Sequence, residues 1–123
     1  MLILGHKLVE SKNFTFVKEF TKNTDEIFCI KYNEKLIQKL KTNHKEFAIF
    51  IENKNEIFLA NALGAKFLIF KDKNLAKFAV KVAEFYLFDS KILFLVDDFK
   101  NLEEFYELGV DGVILKTFIR NFS

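Results

Sequence analysis

The chain has 123 residues, enough for one domain with a continuous core, and 50% of them are hydrophobic. The formal net charge is only +2, and lysines and glutamates alternate without forming blocks, so a nucleic-acid partner is not expected. A single cysteine excludes a disulfide framework or a thiolate metal cluster within one chain, and no apolar run approaches the roughly 20 residues of a membrane helix. We therefore expect a cytoplasmic protein that does not enter a membrane. Its many lysines, asparagines and phenylalanines, with no proline, are typical of a bacterium with an AT-rich genome.

Apolar periodicity predicts strands and helices through the first part of the chain. In chain order we expect a short strand at 1–4, a helix at 14–23 that stops at Asn23-Thr24-Asp25, a strand at 27–32 and a helix at 34–42. The strand at 27–32 is almost continuously apolar, which is typical of a strand covered on both faces. Asn33 is predicted to cap the helix that follows, because its side-chain oxygen can accept a backbone N–H of the first turn.

The central stretch, residues 47–70, has an apolar run, a polar corner, a helical segment and a second apolar run, which predicts strand, helix, strand. The same order returns at 93–115, with Gly64 of the first unit aligned with Gly109 of the second. Each glycine favours the left-handed residue that ends a helix. A long helix is predicted between the two units, at 74–88.

Apolar strands that alternate with helices predict a single α/β domain over residues 1–123, with a mainly parallel sheet. We predict a three-layer α/β/α sandwich of the flavodoxin-like kind, with five or six strands. The alternative is half of a (β/α)8 barrel. It is suggested by the leucine, glycine, small residue and charged residue that precede a strand at 63–66 and 108–111, a pattern that resembles one recurring in barrel enzymes.

An Asp pair, a lysine and a threonine at strand ends resemble the response-regulator receiver family, as do the chain length and the alternating order of elements. A receiver has its acidic pair after the first strand, where this chain has Gly5-His6, and its phosphorylated aspartate after the third, where this chain has Glu52-Asn53. Asp97-Asp98 come two units too late, and Lys116 is followed by threonine instead of the usual proline. The resemblance implies a parallel sheet, and phosphorelay chemistry does not follow from it.

Polar side chains follow several predicted strands, at the edge of a parallel sheet where ligands bind. We therefore predict a candidate site for a small phosphorylated or otherwise anionic ligand, with lysines as anion contacts and acids as acid, base or cation ligands. The residues of this site are Glu52, Asn53, Lys71, Asp97, Asp98, Lys116 and Thr117. The alternative interpretation is that they cap helices. No phosphate loop, metal-ligand spacing or nucleophile motif is present, so no cofactor or metal is predicted and a non-catalytic role is favoured.

The surplus of aromatic residues is the remaining signal, because the helix at 74–88 is apolar over more than the usual third of its circumference. Part of this surface is expected to contact a protein partner or a second copy of the chain. The residues predicted there are Phe85, Tyr86, Phe88, Phe118 and Phe122. Burial in a phenylalanine-rich core is the alternative. The sequence thus favours an interaction or regulatory domain, with binding of a small anionic ligand as the second hypothesis.

Overall fold

A computed structural model describes residues 1–22 and 26–122, and over these residues strands alternate with helices. In chain order the elements are β1 (Leu2–Leu4), β2 (Phe14–Phe16), β3 (Ile27–Lys31), α1 (Glu34–Thr42), β4 (Phe47–Phe50), α2 (Lys54–Ala62), β5 (Phe67–Phe70), α3 (Lys73–Tyr86), β6 (Lys91–Val96), α4 (Leu102–Leu108), β7 (Gly112–Leu115) and β8 (Ile119–Arg120). A short 3-10 helix, Lys116–Phe118, joins the last two strands.

The eight strands of the described residues form one sheet, in the order β1-β7-β6-β5-β4-β3-β2-β8. Every neighbouring pair in this sheet is parallel. The predicted α/β fold with a mainly parallel sheet is therefore confirmed. The number of strands exceeds the predicted five or six, because β2 and β8 have only three and two residues and are too short to show a period of their own.

The sheet must be curled, because the link between β7 and β8 is too short to join these two strands in a flat sheet. A flat sheet would separate these two strands by six spacings of about 4.8 Å, or roughly 29 Å. The four residue steps from Leu115 to Ile119 span at most about 15 Å. Consistent with curling, the rings of Phe14 on β2 and Phe67 on β5 have centroids 5.6 Å apart, although two strands lie between them in the sheet.

The two faces of the sheet bury different sets of side chains. All four helices pack on the outer face, where residues such as Ile37, Ile57 and Ala79 meet the strands. The inner face is covered by its own side chains, mostly from the strands. Helices on a single face agree with the half-barrel alternative and not with the three-layer sandwich. The physical reason is that aromatic side chains on the inner face fill the space a second helical layer would occupy.

Residues 14–16 form a strand, so the helix predicted at 14–23 is wrong over the described part. Phe14 and Phe16 both face the inner cluster, with the period of two that a strand requires. β2 also pairs with a strand on each side, which satisfies its backbone better than an isolated helical turn. The predicted stop at Asn23-Thr24-Asp25 lies outside the described residues.

The predicted helix ends are confirmed at several places. The Asn33 side chain accepts a hydrogen bond from the Leu36 N–H at 3.1 Å and so caps α1. Gly64 and Gly109 adopt φ values of 92° and 87° after α2 and α4, the left-handed conformation that ends a helix. Each helix therefore stops sharply and returns the chain to the next strand.

Candidate functional site

The carboxyl ends of the strands lie together at one end of the curled sheet, because every strand runs in the same direction. For each of the strands β1 to β7, one residue lies two positions after the last apolar residue that faces the inner cluster. The alternation of side chains along a strand places this residue at the opening. We call these residues the mouth ring: His6, Lys18, Lys31, Glu52, Lys71, Asp97 and Lys116. Four lysines against two acids make the mouth ring net positive.

Phe122 closes the inner space at the mouth. Its ring stacks on Phe50 with centroids 4.7 Å apart and planes 10° apart, and meets Phe16 edge to face at 5.6 Å. The segment after β8 thus returns into the opening and covers the inner apolar cluster. A ligand at this end would therefore rest on an aromatic floor.

Lys71 and Lys116 both approach this aromatic floor. The Nζ atom of Lys71 lies 5.2 Å from the centroid of the Phe122 ring, and that of Lys116 lies 6.0 Å from it. Lys71 Nζ is also 5.6 Å from the Phe50 centroid. The negative face of an aromatic ring attracts an ammonium group, so the Phe122 ring attracts both lysines. These two lysines, predicted as anion contacts after strands β5 and β7, thus both lie beside the Phe122 ring.

Of the other predicted site residues, some make cap or turn hydrogen bonds and others lie exposed at the carboxyl ends of the strands. Asn53 caps α2 by accepting the Glu56 N–H at 3.0 Å, while the Glu56 carboxylate accepts the Glu52 N–H at 2.9 Å. Asp98 accepts the Lys100 N–H at 2.9 Å and shapes the turn before α4. For Asn53 and Asp98 the structure thus shows the cap and turn contacts of the alternative interpretation. Asp97 and Thr117 lie exposed after β6 and β7, at the same end of the sheet.

A pocket of about 220 Å³ opens beside the mouth, at the ends of β2 and β3. Its lining residues are Phe16, Val17, Lys18, Lys31, Tyr32, Asn33 and Leu36. We call it the side pocket. Lys18 was not predicted as a site residue because the helix assigned to 14–23 hid the end of β2, and Lys31 was not because it lies inside the predicted strand at 27–32. The signal that would have found Lys31 is its position two residues after buried Cys29.

The Tyr32 hydroxyl in the side pocket donates a hydrogen bond to Glu34 Oε2 at 2.7 Å. This bond to a carboxylate raises the pKa of Tyr32 above its usual value, since losing the proton would place two negative oxygens together. Tyr32 therefore remains a neutral phenol at neutral pH.

The predicted interface residues are distributed over different parts of the structure. Phe85 and Tyr86, at the end of α3, are 74% and 63% exposed, and Leu87 beside them is 83% exposed. Phe88 packs partly against the outer cluster, whereas Phe118 and Phe122 pack against the inner cluster on the other face of the sheet. The five residues thus do not share one surface. The exposed group is Phe85, Tyr86 and Leu87, which we call the α3 tip.

Other chemical groups do not add a second site. Cys29 is fully buried in the inner cluster, and burial raises the pKa of its thiol, so it remains protonated and unreactive. Within residues 1–22 and 26–122, His, Cys, Asp and Glu side chains do not gather in threes as a metal site would need. None of the helices in the described part of the chain combines the length and apolar character required to cross a bilayer.

No protein-family model matches the chain, and no curated protein is significantly similar to it. Function must therefore be inferred from the mouth ring, the aromatic floor and the side pocket.

Proposed function

We propose that the protein binds a small phosphorylated or otherwise anionic molecule at the mouth of the curled sheet. The observation that carries this proposal is the approach of Lys71 and Lys116 to the single ring of Phe122. Lysine side chains are long and flexible, so a single anion beside this ring can be reached by both ammonium groups. The carboxyl ends of parallel strands are also where ligands bind in α/β folds.

The surroundings of the two lysines support an anion further. The apolar floor of Phe16, Phe50 and Phe122 keeps water from one side of the ammonium groups, which strengthens their attraction for a negative charge. The mouth ring is positive overall. Glu52 and Asp97, on the same inner register, would orient the polar part of the ligand or hold a cation that accompanies it.

The test is calorimetric titration with inorganic phosphate and with a small phosphomonoester. We expect Lys71→Ala and Lys116→Ala each to weaken binding by about tenfold or more, because each removes a charged hydrogen bond. Lys91→Ala is the matched control: Lys91 is an exposed lysine on the inner register of β6, at the opposite, amino end of the strands. Binding that is equally weak in Lys91→Ala, or absent from the parent protein at millimolar probe, would overturn the proposal.

A second candidate function is self-association through the α3 tip. Phe85 and Tyr86 contact each other edge to face, with ring centroids 4.8 Å apart, so a preformed apolar group projects from the outer face. A second copy can bury the same group against itself across a two-fold axis.

Sedimentation equilibrium tests this association. We expect a dimer that Phe85→Ser together with Leu87→Ser converts to a monomer, while Phe58→Ser, at a 41% exposed phenylalanine on α2, leaves it intact. A parent protein that stays monomeric at high concentration would contradict the second candidate.

A further inference from the structure

The side pocket and the lysine pair form one continuous surface. Phe16 lines the side pocket, and its ring also contacts Phe122 at 5.6 Å. Phe122 in turn lies under Lys71 and Lys116. A ligand bound to the lysine pair can therefore extend across the aromatic floor into the side pocket without crossing another element.

The side pocket itself favours an anion. Lys18 and Lys31 are its charged lining residues. The Glu34 carboxylate accepts the hydrogen bond from Tyr32 and is not one of the lining residues. The amino end of α1, capped by Asn33, also borders the pocket and adds the positive end of a helix dipole to the two lysines.

The size and remaining lining of the pocket limit what can enter it. About 220 Å³ is smaller than the roughly 300–1,000 Å³ of pockets that hold drug-sized ligands, so only a compact group fits. Phe16, Val17 and Leu36 provide apolar walls that suit a short carbon segment next to a charged end. The pocket is thus matched to the anionic end of a short molecule.

We propose, on the basis of the proposed function, that the ligand is a short molecule with an anionic group at each end. Lys71 and Lys116 hold one group, Lys18 and Lys31 hold the other, and the carbon segment lies on Phe16 and Phe122. Sugar bisphosphates and short dicarboxylic acids belong to this chemical class.

The experiment compares calorimetric binding of methylphosphonate with that of alkane bisphosphonates of increasing length. We expect one bisphosphonate to bind about tenfold or more tightly than methylphosphonate, since its second group gains a contact without a second loss of free motion. Lys31→Ala should reduce bisphosphonate affinity to about that of methylphosphonate, and should weaken methylphosphonate binding less than Lys71→Ala does. Lys71→Ala should weaken both probes, and Lys91→Ala neither.

Two results would overturn the proposal in different ways. Bisphosphonates that bind no more tightly than methylphosphonate, or that bind equally well to Lys31→Ala, would remove the two-anion ligand and leave the single-anion site standing. Failure of the parent protein to bind either probe would overturn the proposed function as well. Thermal melts of each variant establish that a lost affinity does not reflect a lost fold.

Discussion

Gly112 is a residue whose missing side chain lets two strands approach. A Cβ atom there would lie 2.4 Å from the backbone oxygen of Leu2 and 2.5 Å from the Leu2 Cβ. We predict that Gly112→Ala lowers the free energy of unfolding by about 3 kcal/mol or more, because β1 must move away from β7. Urea denaturation measures the loss. Gly64→Ala, where no atom lies within 4 Å, should lose only the roughly 1–2 kcal/mol of left-handed strain. Equal losses would contradict the close packing of β1.

Glu46 accepts hydrogen bonds from two lysines, Lys12 and Lys66, the second at 2.6 Å. These bonds lower the pKa of the Glu46 carboxyl. A lowered carboxyl pKa stabilises the fold above the ordinary glutamate pKa, and the contribution is lost as pH falls through the lowered value. We predict that Glu46→Gln is less stable than the parent by below about 1 kcal/mol at neutral pH, since the pair is partly exposed.

The difference between Glu46→Gln and the parent should disappear in acid, when Glu46 is protonated in both states. Urea denaturation from neutral pH down to about pH 3 measures it. Glu103→Gln, on the exposed side of α4, is the matched control. A stability difference that grows as pH falls would contradict the stated role of the two lysines.

Among the elements, α3 ends on an unusual residue. Leu87 is its C-cap, with φ 53° and ψ 57°, and is 83% exposed. The left-handed conformation costs a residue with a side chain about 1–2 kcal/mol. Glycine adopts it without strain, although glycine loses more conformational entropy on folding, and that loss is smaller than the strain. We therefore predict that Leu87→Gly raises the free energy of unfolding by about 0.5–1 kcal/mol.

Thermal and urea unfolding at low protein concentration check the Leu87→Gly prediction, so that association at the α3 tip does not contribute. Ala62→Gly, at the last position of α2, is the control and should lose about 0.5–1 kcal/mol, because that residue is helical. A destabilised Leu87→Gly would show that the leucine side chain contributes packing that its exposure conceals.

Elements with strong local signals were predictable from the sequence, and elements that depend on distant partners were not. β3 to β7 are apolar runs bounded by caps such as Asn33 and Asn53, and each was expected. β2 was missed because Phe16, Val17 and Phe20 also fit helical spacing; the two faces that they occupy separate only when β3 and β8 pair with β2.

The candidate site shows the same division. Lys71 and Lys116 follow recognisable strands, so the rule for strand ends selected them. Lys18 depends on the end of β2, and Phe122 enters the mouth only because β8 pairs with β2. Neither of these long-range contacts leaves a pattern in the local sequence. The aromatic floor therefore could not be predicted from the sequence alone.

For the whole molecule, Phe122 connects stability to binding. It stacks on Phe50 and supports Lys71 and Lys116. We predict that Phe122→Ala lowers the free energy of unfolding by about 2 kcal/mol, less than a fully buried phenylalanine, and weakens phosphate binding. Urea denaturation and calorimetry measure the two effects.

Phe58→Ala is the control for Phe122→Ala, because Phe58 is 41% exposed on α2 and its ring contacts Phe78 instead of the rings of the aromatic floor. We expect it to cost less than about 1 kcal/mol and to leave phosphate binding unchanged. If Phe122→Ala bound phosphate as the parent does, the ring would not position the lysines.

The pairing of Leu2 with Gly112 has a consequence for folding during synthesis on the ribosome. β3 to β7 can each join the preceding strand as they emerge, but β1 must wait for about 110 further residues before its neighbour exists. At a synthesis rate of about 5–20 residues per second, that wait lasts about 5–20 seconds. During this interval the inner face of the sheet, which is rich in phenylalanine, stays exposed to water and to other nascent chains. Newly made copies should therefore depend on chaperones more than the finished protein does.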